Sequence, residues 1–293
     1  MQKVICIVGP TGVGKTKLSI ELAKKLNGEI INADSTQVYI GLDIATAKVK
    51  EEEKDGIPHH LFDIKEITEP YTVYDYQKDC RKKIEEISSR GHLPILVGGT
   101  GLYLKAALYN YEFEEMKLEE KEYPKEKLYE MVCEKDPNNK IHPNNYKRLL
   151  RAYQYMEQTG KPFSEKEKSD IPLYDIIWIG LTTDREILYE RINHRVYQML
   201  EEGLEEEARK LYDSNIRSKA VLTPIGYREF FSYFDGKITK EEAISNIQKE
   251  SRHYAKRQYT WFQNQVPVKW VSVNFSDFSE TIKQVEEMIK DTK

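Results

Sequence analysis

The sequence predicts an α/β fold with a mostly parallel sheet and a helical insertion lobe. Three observations carry that prediction. The chain opens with a short β-branched run that breaks into a glycine loop and then into helical spacing. Further short apolar runs recur along it, some ending in glycine or small polar residues. Two long stretches between those runs read almost wholly as helix and loop, too long to be plain crossovers.

The elements follow in order. Lys3 to Val8 is an apolar run of the kind buried on both faces of a parallel sheet, and it meets Gly9. Leu18, Leu22 and Leu26 give Lys15 to Leu26 helical spacing, and Asn27-Gly28 supplies the C-cap. Glu29 to Ala33 reads as the second strand and delivers Asp34, Ser35, Thr36 and Gln37 to the same sheet edge as the glycine loop, where ligands of open α/β sheets bind. A third strand is expected at His60 to Ile64. A helix starts near Thr72, with Asp75 three residues on, and buries Tyr76, Cys80, Ile84 and Ile87 before Gly91. Leu93 to Val97 is a strand that runs into Gly98-Gly99-Thr100-Gly101 and the helix Leu102 to Leu108. Ile176 to Leu181 precedes a helix capped around Asp184, and Val268 to Val273 precedes an amphipathic helix after Ser279.

This pattern gives a core of residues 1–110, 175–195 and 266–293, interrupted by a mainly helical segment at 111–174 and a helical lid segment at 196–265. The second segment is expected to supply part of a separate lobe, because Arg191 and Arg195 sit four apart where lids of adenylate-kinase-like proteins begin.

A chain of 293 residues, 39% hydrophobic, can bury one sizeable core and a smaller lobe. Met1 to Gly9 carries no basic leader, and no run of about 18 apolar residues occurs, so a soluble cytoplasmic protein without a membrane partner is expected. Cys6, Cys80 and Cys133 are too scattered for a metal or disulfide pattern. The net charge of −4 argues mildly against a nucleic-acid partner. That average hides an acidic stretch from Glu112 to Asp136, a basic one with Lys140, Lys147, Arg148 and Arg151, and a second basic group at Arg252, Lys256 and Arg257.

The strongest motif is Gly9-Pro10-Thr11-Gly12-Val13-Gly14-Lys15-Thr16, a complete G-x-x-x-x-G-K-T between strand and helix. Its backbone N–H groups can converge on phosphate oxygens, Lys15 adds a point charge, and the Thr16 hydroxyl can ligate Mg²⁺. The default reading of such a P-loop is ATP and phosphoryl transfer.

Other blocks point elsewhere. Asp34 to Tyr39, Pro58-His59-His60, Val97 to Tyr103, Ile141 to Asn144, Arg148 to Ala152, Ile225 to Glu229 and Ala255 to Trp261, together with the P-loop, resemble the motifs of the bacterial-type tRNA dimethylallyltransferases, in that family's order and nearly end to end. The resemblance implies transfer of the dimethylallyl group from dimethylallyl diphosphate to N6 of the adenosine 3′ of the anticodon, with the P-loop holding the leaving diphosphate and Mg²⁺. It implies that Asp34 is the general base, that Thr100 donates to the oxygen bridging carbon and phosphorus, and that Lys15, Thr16 and one of Arg191, Arg195 or Arg228 neutralise the diphosphate. Asp34, Ser35, Thr36, Gln37 and Thr100 fall against the target nucleotide, the Gln37 amide being suited to an adenine edge. Lys147, Arg148, Arg151, Arg252, Lys256 and Arg257 are the implied backbone contacts to the tRNA anticodon stem-loop. Eukaryotic members carry a C-terminal Cys/His zinc finger, and no such set precedes Lys293. His59 and His60 have no third ligand nearby and are not read as a metal site. A monomer is expected. The alternatives are an adenylate isopentenyltransferase acting on free nucleotides, against which the basic segments count, a P-loop metabolite kinase, and a non-catalytic RNA-binding module.

Overall fold

The computed structural model describes residues 1–113, 123–165 and 170–291. These form two compact units, one of Met1–Tyr109 with Pro172–Lys293 and one of Asn110–Ile171.

The first unit is built on six strands, β1 (Lys3–Val8), β2 (Gly28–Asn32), β3 (His59–His60), β4 (Leu93–Val97), β5 (Asp175–Thr182) and β6 (Lys269–Ser272), in the order β3-β2-β4-β1-β5-β6. Every pairing is parallel, with Cys6 registered on Leu96 on one side and on Trp178 on the other. Val4 to Val8 are wholly buried, as a central parallel strand covered on both faces must be. Helices α1 (Lys15–Leu26), α2 (Val73–Ser89) and α3 (Gly101–Leu108) follow β1, β3 and β4. Thr72 and Asp75 close the expected capping box on α2. The third strand is shorter than its sequence suggests. Leu61 and Asp63 adopt φ of 62° and 50°, a left-handed backbone that cannot continue a strand, so the chain turns away after His60.

Near the amino ends of β2 and β4, a partly exposed ion cluster forms around the buried Glu29 carboxylate. The Glu29 carboxylate accepts from Arg90 Nη2 at 2.8 and 2.9 Å and lies 2.6 Å from both His60 Nε2 and His92 Nδ1. Burial pushes this carboxyl up, but the bonds from Arg90, His60 and His92 outweigh it and hold the pKa at about 2.

In the second unit, α4 (Lys125–Lys135) and α5 (Tyr146–Thr159) share a small core of Leu128, Val132, Leu149, Tyr153 and Met156. Buried Asp136 holds Ser164 through its backbone N–H at 2.7 Å and its hydroxyl at 2.6 Å. Part of the acidic stretch beginning at Glu112, residues 114–122, lies outside the described residues, as does Lys293.

The remaining helices are α6 (Arg185–Glu201), α7 (Leu204–Asp213), α8 (Lys219–Leu222), α9 (Tyr227–Phe234), α10 (Lys240–Gln265) and α11 (Phe278–Lys290). The expectation that 196–265 would supply part of a separate lobe is corrected here. It is the first long stretch that forms a unit of its own, whereas α7 packs on α9, α9 on α10, and α10 on α6 and α3, which ties the second stretch to the sheet. Among the described residues no helix is long and apolar enough to cross a membrane.

Candidate active site

Three chain segments meet at the carboxyl edge of the sheet: the loop after β1, the turn after β2 and the turn after β4. The first is the P-loop. Gly14 caps α1 with a φ of 100°, a conformation open to glycine at little steric cost. Lys15 folds over the loop, its ammonium donating to Gly9 O at 3.0 Å and Pro10 O at 2.8 Å. Burial lowers its pKa to about 8, with the Asp34 charge pulling upward and the Arg195 charge downward. Thr16 is exposed at the start of α1, while Val13 is buried beneath the loop.

The turn after β2 is held by its own side chains. Asn32 is fully buried, accepts from Asp34 N at 2.9 Å and donates to the carbonyls of Asp34 and Leu61, each at 3.0 Å. Asp34 Oδ1 accepts from Thr36 N at 2.9 Å and Thr36 Oγ1 at 2.7 Å. The third turn joins the second: Thr100 Oγ1 accepts from Ser35 N at 3.0 Å and Thr100 N donates to Ala33 O at 3.1 Å. Thr100 stands at the N-cap of α3, yet its hydroxyl makes no capping bond. It faces the Asp34 turn instead, so one network brings Asp34, Ser35, Thr36 and Thr100 together.

The glycines of the third turn are set by close approach. A side-chain carbon at Gly99 would lie 1.8 Å from Gln258 Nε2, and one at Gly101 would lie 2.1 Å from the Trp261 ring. Both partners belong to α10. Gln258, itself buried, accepts from the P-loop amide Thr11 N at 3.0 Å. The Tyr254 hydroxyl, one turn earlier, lies beside Thr100 and Gln258. Its burial and the Asp34 charge push its pKa up, so it stays neutral. Tyr254 and Gln258 are site residues that sequence reasoning missed, although their spacing of four with Trp261 three further on marks one helix face.

Of the three arginines considered for the diphosphate, the structure brings two to the loop. Arg191 Nε donates to Gly12 O at 3.1 Å and its guanidinium stacks 3.9 Å from the Phe275 ring. Arg195, one turn later, lines with Gly12, Arg191, His194 and Gln198 a cleft of about 360 Å³. Arg228 is exposed on α9, and no bond joins it to the P-loop among the described residues. Gln37 is half-buried, and its Nε2 donates to Thr46 O at 2.9 Å and Ala47 O at 3.3 Å. Pairing with adenine through both ends of that amide is therefore not open to it in this arrangement; the Oε1 acceptor is the end that remains.

The basic groups differ in kind. Lys256 and Arg257 are exposed on α10, whereas Arg252 is half-buried and donates to Asn193 Oδ1 at 2.5 Å. Lys147, Arg148 and Arg151 are exposed on α5 of the second unit. No group of three or more His, Cys, Asp or Glu residues able to hold a metal occurs among the described residues. An oxygen donor at Thr16 with phosphate oxygens and water does fit Mg²⁺, which takes few protein ligands.

Known proteins match this chain over nearly its whole length. The family model for IPP transferase matches residues 37–265. A tRNA dimethylallyltransferase of Geobacillus kaustophilus (strain HTA426) is 50% identical over 301 residues, covering 98% of this chain and 95% of its own. The crystal structure of the full-length tRNA isopentenylpyrophosphate transferase from Bacillus halodurans superposes with a TM-score of 0.80 at 44% identity, over 100% of this chain and 97% of its own. A eukaryotic dimethylallyltransferase acting on tRNA superposes with a TM-score of 0.85 at 32% identity, over 99% of this chain and 79% of its own. With matches of this identity and coverage joined to a P-loop whose neighbours are Asp34 and Thr100, the chain belongs to the IPP transferase family, that of the tRNA dimethylallyltransferases.

Proposed function

We propose that this protein transfers the dimethylallyl group of dimethylallyl diphosphate to N6 of the adenosine 3′ of the anticodon in tRNA, releasing diphosphate. The observation that carries this reading is the joining of Asp34 and Thr100 by the Ser35 amide, 3.0 Å from Thr100 Oγ1, beside a P-loop lysine. The P-loop amides and Lys15 bind the diphosphate, with Arg191 and Arg195 contributing charge from α6. The Thr16 hydroxyl would hold Mg²⁺, which would supply further charge against the leaving diphosphate.

The N6 lone pair forms the bond to C1 of the donor. The C1–O bond breaks, and its electron pair leaves on the diphosphate. Thr100 Oγ1, which donates to Ser35 Oγ at 3.3 Å, turns its proton to that bridging oxygen as charge builds on it, which is electrostatic stabilisation. The proton lost from N6 goes to Asp34, whose Oδ1 is already fixed by Thr36. Exposed Lys147, Arg148 and Arg151 on one unit, and Lys256 and Arg257 on the other, supply phosphate contacts that an acidic chain otherwise lacks. The protein acts as a cytoplasmic monomer.

The test is mass analysis of nucleosides from tRNA incubated with the protein, dimethylallyl diphosphate and Mg²⁺. A gain of one dimethylallyl group on adenosine is expected. Consumption of ATP with no change in the tRNA overturns the reading in favour of a kinase.

A further inference from the structure

The loop that follows Gln37 is built around a carboxylate from far along the chain. Glu207 on α7 accepts from three successive backbone amides: Asp43 N at 3.0 Å and Ile44 N at 2.9 Å on Oε2, and Ala45 N at 3.1 Å on Oε1. Three amides curled onto one point form the kind of concavity that elsewhere binds anions, and here a side chain of the protein fills it. A fourth bond fixes the carboxylate itself, since the hydroxyl of wholly buried Tyr227 donates to Oε1 at 2.6 Å. The next two residues, Thr46 and Ala47, present the carbonyls that take both bonds from Gln37 Nε2. The far end of the loop is pinned by Lys48, whose ammonium reaches Tyr39 O at 2.8 Å, Asp43 Oδ1 at 2.6 Å and Asp63 Oδ1 at 2.5 Å.

We infer that Glu207, braced by Tyr227, is a specificity-determining positioning residue that sets the sense of the Gln37 amide and so makes the site accept an amino group, and reject an oxo group, at position 6 of the target purine. With its nitrogen held by two carbonyls, Gln37 offers only its oxygen. That oxygen accepts from the exocyclic amine of adenine, which keeps a second hydrogen to lose to the base. Against the O6 acceptor of hypoxanthine or guanine it is a repulsive partner, so a site that accepts from an amine disfavours the analogue lacking it. The inference rests on the proposed reading of Gln37 as a base contact. It also gives the Ile225-Gly226-Tyr227-Arg228-Glu229 block a role in base selection, through Tyr227.

The experiment compares binding of two anticodon stem-loops, one with adenosine and one with inosine at the target position, to wild type, Glu207→Gln, Tyr227→Phe, Gln37→Ala and the double variant Glu207→Gln/Gln37→Ala. Transfer to the adenosine loop and the KM for dimethylallyl diphosphate are measured alongside. Glu207→Gln and Gln37→Ala each cut the adenosine preference about tenfold, the scale of a lost base contact. Tyr227→Phe, which keeps the buried ring and the fold, cuts it less. The double variant loses no more than either single one, because both act through the same amide. Donor KM stays unchanged throughout. Full preference in both Glu207→Gln and Tyr227→Phe, or losses that add in the double variant, overturns the inference while leaving Gln37 as a base contact. Full preference in Gln37→Ala overturns both, and failure of the wild type to prenylate the adenosine loop overturns the proposed function itself.

Discussion

The two ends of the one sheet use polar groups in opposite ways. At the amino end, Glu29 is buried and its two oxygens are taken up by Arg90, His60 and His92, so the ion cluster is closed on itself. At the carboxyl end, Lys15 rests on two carbonyls of its own loop, and Thr100 makes no capping bond although it stands at a helix N-cap. Asp34 holds Thr36 through a single oxygen. The first arrangement turns its bonds inward onto Glu29 and stabilises the fold. The second keeps charge and hydrogen-bonding capacity for a ligand, and desolvation of the half-buried Lys15 without a carboxylate bond is its cost. Substitutions at the two ends should therefore separate rate from stability.

The largest separation is expected from Lys15→Ala. Transfer should slow about 10²–10³-fold, the scale of a lost donor to developing negative charge, and the KM for the donor should rise. The melting temperature should hold, because the half-buried ammonium is desolvated without a carboxylate partner. A melting temperature that drops while the rate holds would place Lys15 with the structural end.

Glu29→Gln should do the reverse. Removing the shared negative charge and one of its two acceptors should cost about 1.5–3 kcal/mol of stability, the range for hydrogen bonds to charged groups, less than a wholly buried pair because the Arg90 side chain is half exposed. The transfer rate at a temperature where the variant is folded should match wild type. Chemical denaturation with parallel rate assays checks both.

The two ends also respond to pH in different windows. Glu29 has its folded pKa depressed to about 2 from a usual 4.5, so its contribution is complete above 4.5 and is lost as pH falls between those values. Lys15 has its folded pKa lowered to about 8 from 10.5. Its burial therefore weighs on stability below pH 8, and that weight lifts as pH rises toward 10.5. Donor binding needs the charged form, so affinity should fall as pH rises through about 8. Lys15→Arg should flatten that limb of the affinity profile.

Much of this was legible in the sequence, and the failures have physical causes. The P-loop and the two turns that face it follow from strands that end in glycine or in Asp34 to Gln37, and all six strands lie near their expected positions. The third ends earlier than its apolar run suggests because Leu61 and Asp63 take a left-handed backbone of which the run gives no sign. Gly99 and Gly101 read as a turn, but their purpose is clearance for Gln258 and Trp261, about 160 residues away, which no local pattern reveals. Glu207 and Tyr254 were hidden for the same reason: a polar residue at helical spacing looks like a solvated face until its partner is placed. Arg252 illustrates the converse, since it reads as one of a basic group and is engaged with Asn193 on α6.

The smallest effects are expected in the second unit, on the α5 surface. Arg148 is exposed there beside Lys147 and Arg151, and one lost phosphate contact lowers affinity for all tRNAs alike. Arg148→Ala should weaken tRNA binding severalfold and reduce the slope of log K against log salt by about one unit or less. An unchanged affinity and slope would make this face an ordinary solvated surface.

The central claim is that the carboxyl end performs the chemistry with Asp34 as the base. The most direct measurement is the single-turnover rate of dimethylallyl transfer by Asp34→Ala at saturating donor and tRNA, with tRNA affinity measured in parallel. The account predicts a rate lowered about a hundredfold or more, the scale of a lost general base, with tRNA affinity nearly intact. A rate within about twofold of wild type, against that expected scale, would contradict it and make Asp34 a structural residue of its turn.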